Sequence, residues 1–367
     1  MQLERYWWGL ARAEYGGWFY VATVHTPGTR TADYDFDLPR DRIAQHPLDR
    51  RDASKLLIVN RREGTIDHGV FSDLATLVPA GDVLVVNRSR VVRARLLGRR
   101  ESGAPAEVML LRPRGPTMYE AMVSPGLKPG RRVTIADDLS VEILEVTERG
   151  TRIVRLDTPL AIDDAIARHG HIPLPPYIVR ADAAADSDRY QTVFAREPGS
   201  VAAPTAGLHF TADLLDRFAK RGVRRAGVLL HVGAGTFKPV DAEDPAEHVM
   251  HEEAFVVGDD AAATIGAARA SGRAIWAVGT TSVRTLESVT DDSGRVLAGS
   301  GETTIFIRPP YRFRGVDRVI TNFHLPRSTL LMLVAAFAGY DLTMRAYHEA
   351  IATEYRFYSY GDAMVII

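Results

Sequence analysis

The chain has 367 residues, 46% hydrophobic and 25% charged, with a formal net charge of −1; this composition fits a globular protein long enough for two or three domains. It excludes a uniformly basic nucleic-acid binder, although a local basic patch is still allowed, and no apolar run reaches the roughly 18 residues of a membrane-spanning helix. Cysteine is absent, which removes disulfides, thiolate nucleophiles, cysteine zinc sites and cysteine-ligated iron–sulfur clusters together; a cytoplasmic location is the expectation.

Residues 1–30 hold three of the four tryptophans but lack the order of charged, apolar and cleavage regions of a signal peptide. They read as an extension outside the folded domain. The domain is expected to begin at "DYDFDLPRDRIAQHP", which leads through a short helix into the strand "KLLIVN" and places a first α/β segment over 31–80. From 81 to 158 the texture changes to short apolar or alternating runs, among them "DVLVVN", "AEVMLLRP", "RRVTIA" and "TRIVRLD", separated by Gly, Pro and Asp turns. Such runs at regular spacing predict a small antiparallel β-barrel. The segment "PLAIDDAIARHG" predicts a helix ending at Gly170, and strands then alternate with helices over 159–367. The fold class is therefore α/β: a larger α/β domain with an inserted small antiparallel β-barrel.

Six segments carry candidate chemistry. In "SVAAPTAGLHFT", small residues surround Thr205, Gly207 and His209, as though something must come close to the backbone. "VLLHVGAGTFKPV" closes a strand at His231, after which Gly233, Gly235 and Thr236 form a small-residue turn. It lacks the third glycine and following helix of a dinucleotide loop. "EHVMHEE" gathers His248, His251 and Glu252. On a helix the two histidines share a face, but the spacing is not H-E-x-x-H, so substrate contact or proton transfer is expected rather than a metal.

"AIWAVGTTSVRTLES" is a strand–loop–helix in which Thr280, Thr281 or Ser282 can cap a helix whose free amides bind anions, and Arg284 and Glu287 can pair. "TNFHLPRSTLLMLVAAFAG" sets Asn322 and His324 before a helix apolar all round, hence buried. "YSYGDAM" puts Tyr360 and Asp362 at the entrance to the last strand. A basic cluster, "NRSRVVRARLLGRR", places Arg88 with Arg90 and Arg93 with Arg95 on alternating strand faces, a surface suited to an RNA backbone.

In this order and spacing the six segments, with "YDFDLPRDRIAQHP" and "GDVLVVN", resemble the S-adenosylmethionine:tRNA ribosyltransferase-isomerase family of queuosine biosynthesis, over residues 33–367. The resemblance implies transfer and isomerisation of the ribosyl part of S-adenosylmethionine onto a 7-aminomethyl-7-deazaguanine wobble base of tRNA. The products would be epoxyqueuosine-tRNA, adenine and methionine. S-adenosylmethionine would be consumed as co-substrate with no separate cofactor, tRNA would be the macromolecular partner, and neither a membrane nor a stable protein partner is implied. The sequence departs from the family at "NRSRVVRARL", where Arg88, Ser89 and Arg93 replace the usual residues, and at "RPPY", where Pro310 replaces a glycine. Groups titrating near neutrality serve best in proton transfer, so His209, His231 and His324 with Thr205 are the expected catalytic residues, and Thr281 and Arg284 the expected holders of the methionine carboxylate. An S-adenosylmethionine-dependent methyltransferase and a non-catalytic RNA-binding module remain as alternatives.

Overall fold

The computed structural model describes residues 26–233 and 240–367, together with the backbone of 8–12 and 18–22. Within the extension, Trp8–Arg12 pairs antiparallel with Trp18–Ala22 as a separate two-stranded sheet. Thr31 is tied to the domain proper: its amide donates to the Glu243 carbonyl at 3.0 Å and its hydroxyl to the Ala242 carbonyl at 2.6 Å.

The larger domain is a nine-stranded sheet in the order Gly299–Thr303, Glu253–Val257, Arg224–Leu230, Val83–Asn87, Ile275–Val278, Arg318–Asn322, Ala363–Ile366, Lys55–Asn60, Thr65–Val70. The four strands from Arg224–Leu230 to Arg318–Asn322 run parallel. A central parallel strand is buried on both faces and reads as a continuous apolar run. "VLVVN" obeys this: Val83 and Val85 enter one core while Leu84 and Val86 enter the other. Helices Asp259–Ala270, Thr280–Val289, Thr329–Ala338 and Tyr340–Ala352 cover the first face, and Ala212–Lys220 covers the second. Each fully buried Val, Leu or Phe contributes about 1.5–3 kcal/mol of transfer free energy, an upper bound set by the unfolded reference.

The inserted module is a closed six-stranded antiparallel barrel. Its strands run from Arg95–Arg100 to Arg152–Asp157. Val108 and Leu110 point into its core and Glu107 and Met109 outward, the period-2 pattern the sequence displays. The helix Ile162–His169 ends at Gly170 as expected and packs Ala165 and Ile166 on that core.

The boundary at 81 is corrected. Val83–Asn87 belongs to the centre of the large sheet, and Ser89–Val91 pairs in parallel with Glu197–Ser200 outside the barrel. The barrel therefore interrupts the chain between two neighbouring strands of the sheet. No single helix among the described residues is long and apolar enough to cross a membrane; the apolar helix Thr329–Ala338 turns by 115° into the next one and is a core helix, with six of its ten residues buried.

Asp82, buried at the start of the central strand, accepts from the Trp276 indole N–H at 2.8 Å and the Ala274 amide at 3.1 Å. Asp82→Ala leaves both donors without this partner inside the protein. Stability to urea should fall by about 2–4 kcal/mol, and a loss under 0.5 kcal/mol would show that water replaces the carboxylate.

Candidate active site

In open α/β sheets, ligands lie outside the carboxyl ends of parallel strands where the winding direction reverses. Here the chain passes from Val83–Asn87 to Arg224–Leu230 on one side, then to Ile275–Val278 on the other, so the reversal falls at Asn87. The backbone ladder to Arg224–Leu230 ends with the Arg88 amide, which donates to the Val228 carbonyl at 2.9 Å, and the Asn87 side chain continues it. Its Nδ2 donates to the Leu230 carbonyl at 2.8 Å, while its Oδ1 accepts from the amides of Leu230 (3.2 Å) and Ser89 (3.0 Å).

The crevice opened there is lined by Ala202 to Ala206, Gly279 to Thr281, Thr321 to Leu325, Tyr177, Tyr358 and Ser359, and is narrow, with a cavity volume of about 50 Å³. Thr205, Thr280, Thr281, Asn322 and His324 thus share one cleft. Gly279 has φ +86°, a left-handed conformation that turns the strand directly into the helix Thr280–Val289. No side chain among the described residues caps that helix, contrary to the expectation for Thr280, Thr281 or Ser282, because all three lie inside its first turn. Ser282 instead returns its hydroxyl to the Val278 carbonyl at 2.8 Å. The uncapped amides leave a partial positive charge at the cleft.

A second hollow meets the first at Val232 and runs between sheet and barrel, past His231, Gly233, His251, Glu252 and Gly199. The Nδ1 of His231 lies 2.8 Å from the Ser89 hydroxyl, and partial burial lowers its pKa against the opposing charge of Glu197. Gly199 lies flat against this ring; a Cβ there would come within 2.8 Å of Cε1. His324 is buried, with Nε2 2.8 Å from the Thr321 hydroxyl, and burial pulls its pKa down to about 3.

A family profile described as "Queuosine biosynthesis protein" matches residues 31–366. The chain belongs to this family. A curated relative from Symbiobacterium thermophilum, named S-adenosylmethionine:tRNA ribosyltransferase-isomerase, is 52% identical over 92% of this chain and 100% of its own length. One of the same name from Desulfitobacterium hafniense is 50% identical over 91% and 99%. The crystal structure of S-adenosylmethionine tRNA ribosyltransferase from Thermotoga maritima superposes with a TM-score of 0.54 at 37% identity, covering 91% of this chain and 99% of that one.

Several expected site residues of this queuosine-family chain lie elsewhere. His209 is buried behind Asn322, with Nε2 3.0 Å from the Asn322 Nδ2 and Nδ1 2.8 Å from the Ser54 hydroxyl. Both ring nitrogens are engaged within the protein. Burial, then the Arg356 charge, lower its pKa to about 3. Gly207 packs against Phe194 and Thr192 rather than a ligand cavity. Asp362 accepts from the amides of Lys55 and Arg356, and Tyr360 donates to Asp186; both brace the fold behind the cleft.

Arg284 does not pair with Glu287. Its guanidinium meets Glu253 in a buried ion pair and donates to the Ile305 carbonyl. Glu287 accepts from the amides of Arg314 and Gly315 and from the Tyr311 hydroxyl, which pull it away. His248 and His251 share no helix face, since Pro245–Glu247 is a single 3₁₀ turn and extended chain follows; Glu252 faces Arg149 at 4.0 Å. Gly235 and Thr236 lie outside the described residues.

The arginines form no continuous stripe, because the chain turns between Ser89–Val91 and Arg95–Arg100. Arg88 pairs with Glu197, Arg93 donates to the Gly170 carbonyl and Arg95 pairs with Glu107. Arg90 is exposed and, with Arg93 and Arg112, lines a groove beside the barrel that shares Pro198 and Gly199 with the His231 hollow.

Asn87, Ser89 and Glu253 also shape the site, through Leu230, His231 and Arg284 respectively, beyond the residues expected from the sequence. Glu253, Phe255 and Val257 alternate with exposed Ala254 and Val256, so period two already sets Glu253 on the buried face. For Asn87 the sequence signal is a carboxamide ending an otherwise apolar strand.

The buried histidines set an acid limit. With pKa values of about 3 in the fold against 6.5 ordinarily, the unfolded chain takes up protons that the folded chain refuses. Stability is full above pH 6.5 and falls towards pH 3, by up to about 1.4 kcal/mol per pH unit for each histidine. Urea unfolding from pH 7 to 4 should show a shallower slope for His209→Gln than for the unsubstituted chain; equal slopes would refute the account.

Proposed function

We infer that this chain transfers and isomerises the ribosyl moiety of S-adenosylmethionine onto the 7-aminomethyl-7-deazaguanine wobble base of tRNA, releasing adenine and methionine. The observation carrying this reading is the pair of joined hollows. The cleft, with small-residue walls, the helix start at Thr280–Thr281 and His324, suits a nucleoside with a carboxylate tail. The adjoining hollow between sheet and barrel, with His231 at the junction, suits an incoming tRNA base. The names of the relatives point the same way.

The reaction needs a base for the proton on the carbon beside the sulfonium, an acid for departing adenine, deprotonation of the attacking amine, and a holder for the methionine carboxylate. A neutral His231, steadied at Nδ1 by Ser89, has Nε2 to exchange a proton with a substrate. The amides and hydroxyls of Thr280 and Thr281 take the carboxylate; Arg284, paired with Glu253 and bonded to the Ile305 carbonyl, does not line the cleft. S-adenosylmethionine is consumed as co-substrate.

A methyltransferase reading is disfavoured because Arg224–Leu230 is followed in the sheet by the antiparallel strand Glu253–Val257, whereas a glycine-rich nucleotide loop leads into a helix. Incubation with tRNA bearing the aminomethyl base should yield free adenine and methionine and no S-adenosylhomocysteine. His231→Ala should lower kcat by about 10²–10⁴-fold; near-normal turnover would remove it from the chemistry. Arg90→Ala should weaken tRNA binding and reduce the slope of log K against log salt by about one, leaving the KM for S-adenosylmethionine unchanged. An unaltered slope would take Arg90 off the RNA path.

A further inference from the structure

Asn322 carries a buried polar atom without a partner. Its Oδ1 has no hydrogen bond among the described residues, although the residue is only 2% exposed and lines the cleft. The other half of the amide is saturated: Nδ2 faces His209 Nε2 at 3.0 Å, the Tyr358 carbonyl at 3.3 Å and the Asp362 carbonyl at 3.4 Å. Carbonyl oxygens only accept, so the nitrogen must be on that side and the oxygen on the other. The same logic fixes the imidazole. Asn322 donates to Nε2, Nδ1–H donates to the Ser54 hydroxyl, and Ser54 donates to the Arg51 carbonyl at 3.3 Å. Every donor in this chain has an acceptor, and the Asn322 oxygen is what remains.

Burying an unpaired acceptor costs stability, and native proteins keep few of them. One held rigidly at a cleft suits a ligand that supplies the missing donor. The amide nitrogen is occupied, so Asn322 cannot read a purine through two bonds as a free carboxamide does; it can accept one. Tyr177, Tyr358, Leu325 and Leu330 line the same cleft and offer apolar surface to a planar base.

We propose that the Asn322 side-chain oxygen accepts a hydrogen bond from the exocyclic amine of the purine co-substrate, and that His209 is a positioning residue that keeps this oxygen turned towards it. This rests on the function proposed above and deepens it. The bond strengthens as the departing purine is protonated, because the amine then becomes a better donor, so it favours the transition state over the ground state. His209 does not exchange protons with substrate in this scheme, since protonation at Nε2 would set two donors against each other.

The test compares S-adenosylmethionine with its analogue lacking the 6-amino group, following release of methionine, a product common to both, with tRNA bearing the aminomethyl base. The unsubstituted enzyme should prefer the natural co-substrate by at least about tenfold in kcat/KM. Asn322→Ala and His209→Ala should shrink that preference to within about threefold. His209→Gln, whose side-chain oxygen can accept from Asn322 in place of Nε2, should restore it and leave the pH profile unchanged in shape. If His209→Ala does not fold, Ser54→Ala, which loosens the ring from its other side, should reduce the preference instead. A preference that survives Asn322→Ala overturns the inference, as does loss of a limb of the pH profile in His209→Gln. Absence of methionine release by the unsubstituted enzyme overturns the proposed function itself, and the inference with it.

Discussion

The site depends on one side chain continuing a ladder that the backbone gives up. The strands Val83–Asn87 and Arg224–Leu230 pair in parallel as far as Asn87 and Val228. Past that point the chain leaves for the barrel while its neighbour carries on to His231. Two diverging buried strands expose N–H and C=O groups that must be paired. The Asn87 carboxamide pairs both the amide and the carbonyl of Leu230 and steadies Ser89. Its nitrogen also lies 3.3 Å from the Thr281 hydroxyl, so the same group ties the reversal point to the helix start across the crevice. The crevice can stay open because its edge is bonded to a side chain rather than to another strand.

Behind that edge the site is braced by polar groups instead of apolar packing. Asp362, Ser54, His209 and Asn322 form a buried sequence of contacts running from the strand Lys55–Asn60 to the cleft. Arg284 and Glu253 do the same on the other flank, where the Glu253 carboxylate also accepts from the Gly233 amide at 3.1 Å. A buried ion pair contributes little net stability once desolvation is counted, but removing one partner is strongly destabilising. What these networks provide is a fixed arrangement, since most of their buried polar groups are paired and another geometry would break those bonds; the Asn322 side-chain oxygen and Arg284 Nη2 are the members without a partner among the described residues.

The architecture was legible in the sequence because it rests on periodicity. Alternation in "AEVMLLRP" and helical phasing in "TADLLDRFAKRG" each bury one face, so pattern and structure coincide. The misplaced strand "DVLVVN" shows where this fails: a short continuous apolar run fits a barrel or a parallel sheet, and only the position of its neighbours decides. Site residues were harder to read because partners distant in sequence set their roles. Arg284 and Glu287 have the spacing of a helix pair, yet Glu253 and the Arg314–Gly315 amides claim them first. The small residues around His209 did mark a close approach, but Thr205 and its alanine neighbours face the cleft while the histidine turns inward.

That division explains how one short segment serves two layers. In the 3₁₀ turn Thr205–His209, side chains three positions apart eclipse, so those four apart lie about 120° round the axis from each other. Thr205 at its start lines the cleft, and His209 at its end stacks on Phe71 at 4.9 Å and reaches Ser54. An α-helical turn would place positions four apart on the same face, bringing both to the cleft or both to the core. The tighter turn lets the chain present one residue to a ligand and use the other to lock Asn322, which reaches the same cleft from a different strand. Position in a site and contact with its contents are thus separate properties, and the hydrogen bonds on each nitrogen distinguish them where the spacing of histidines cannot.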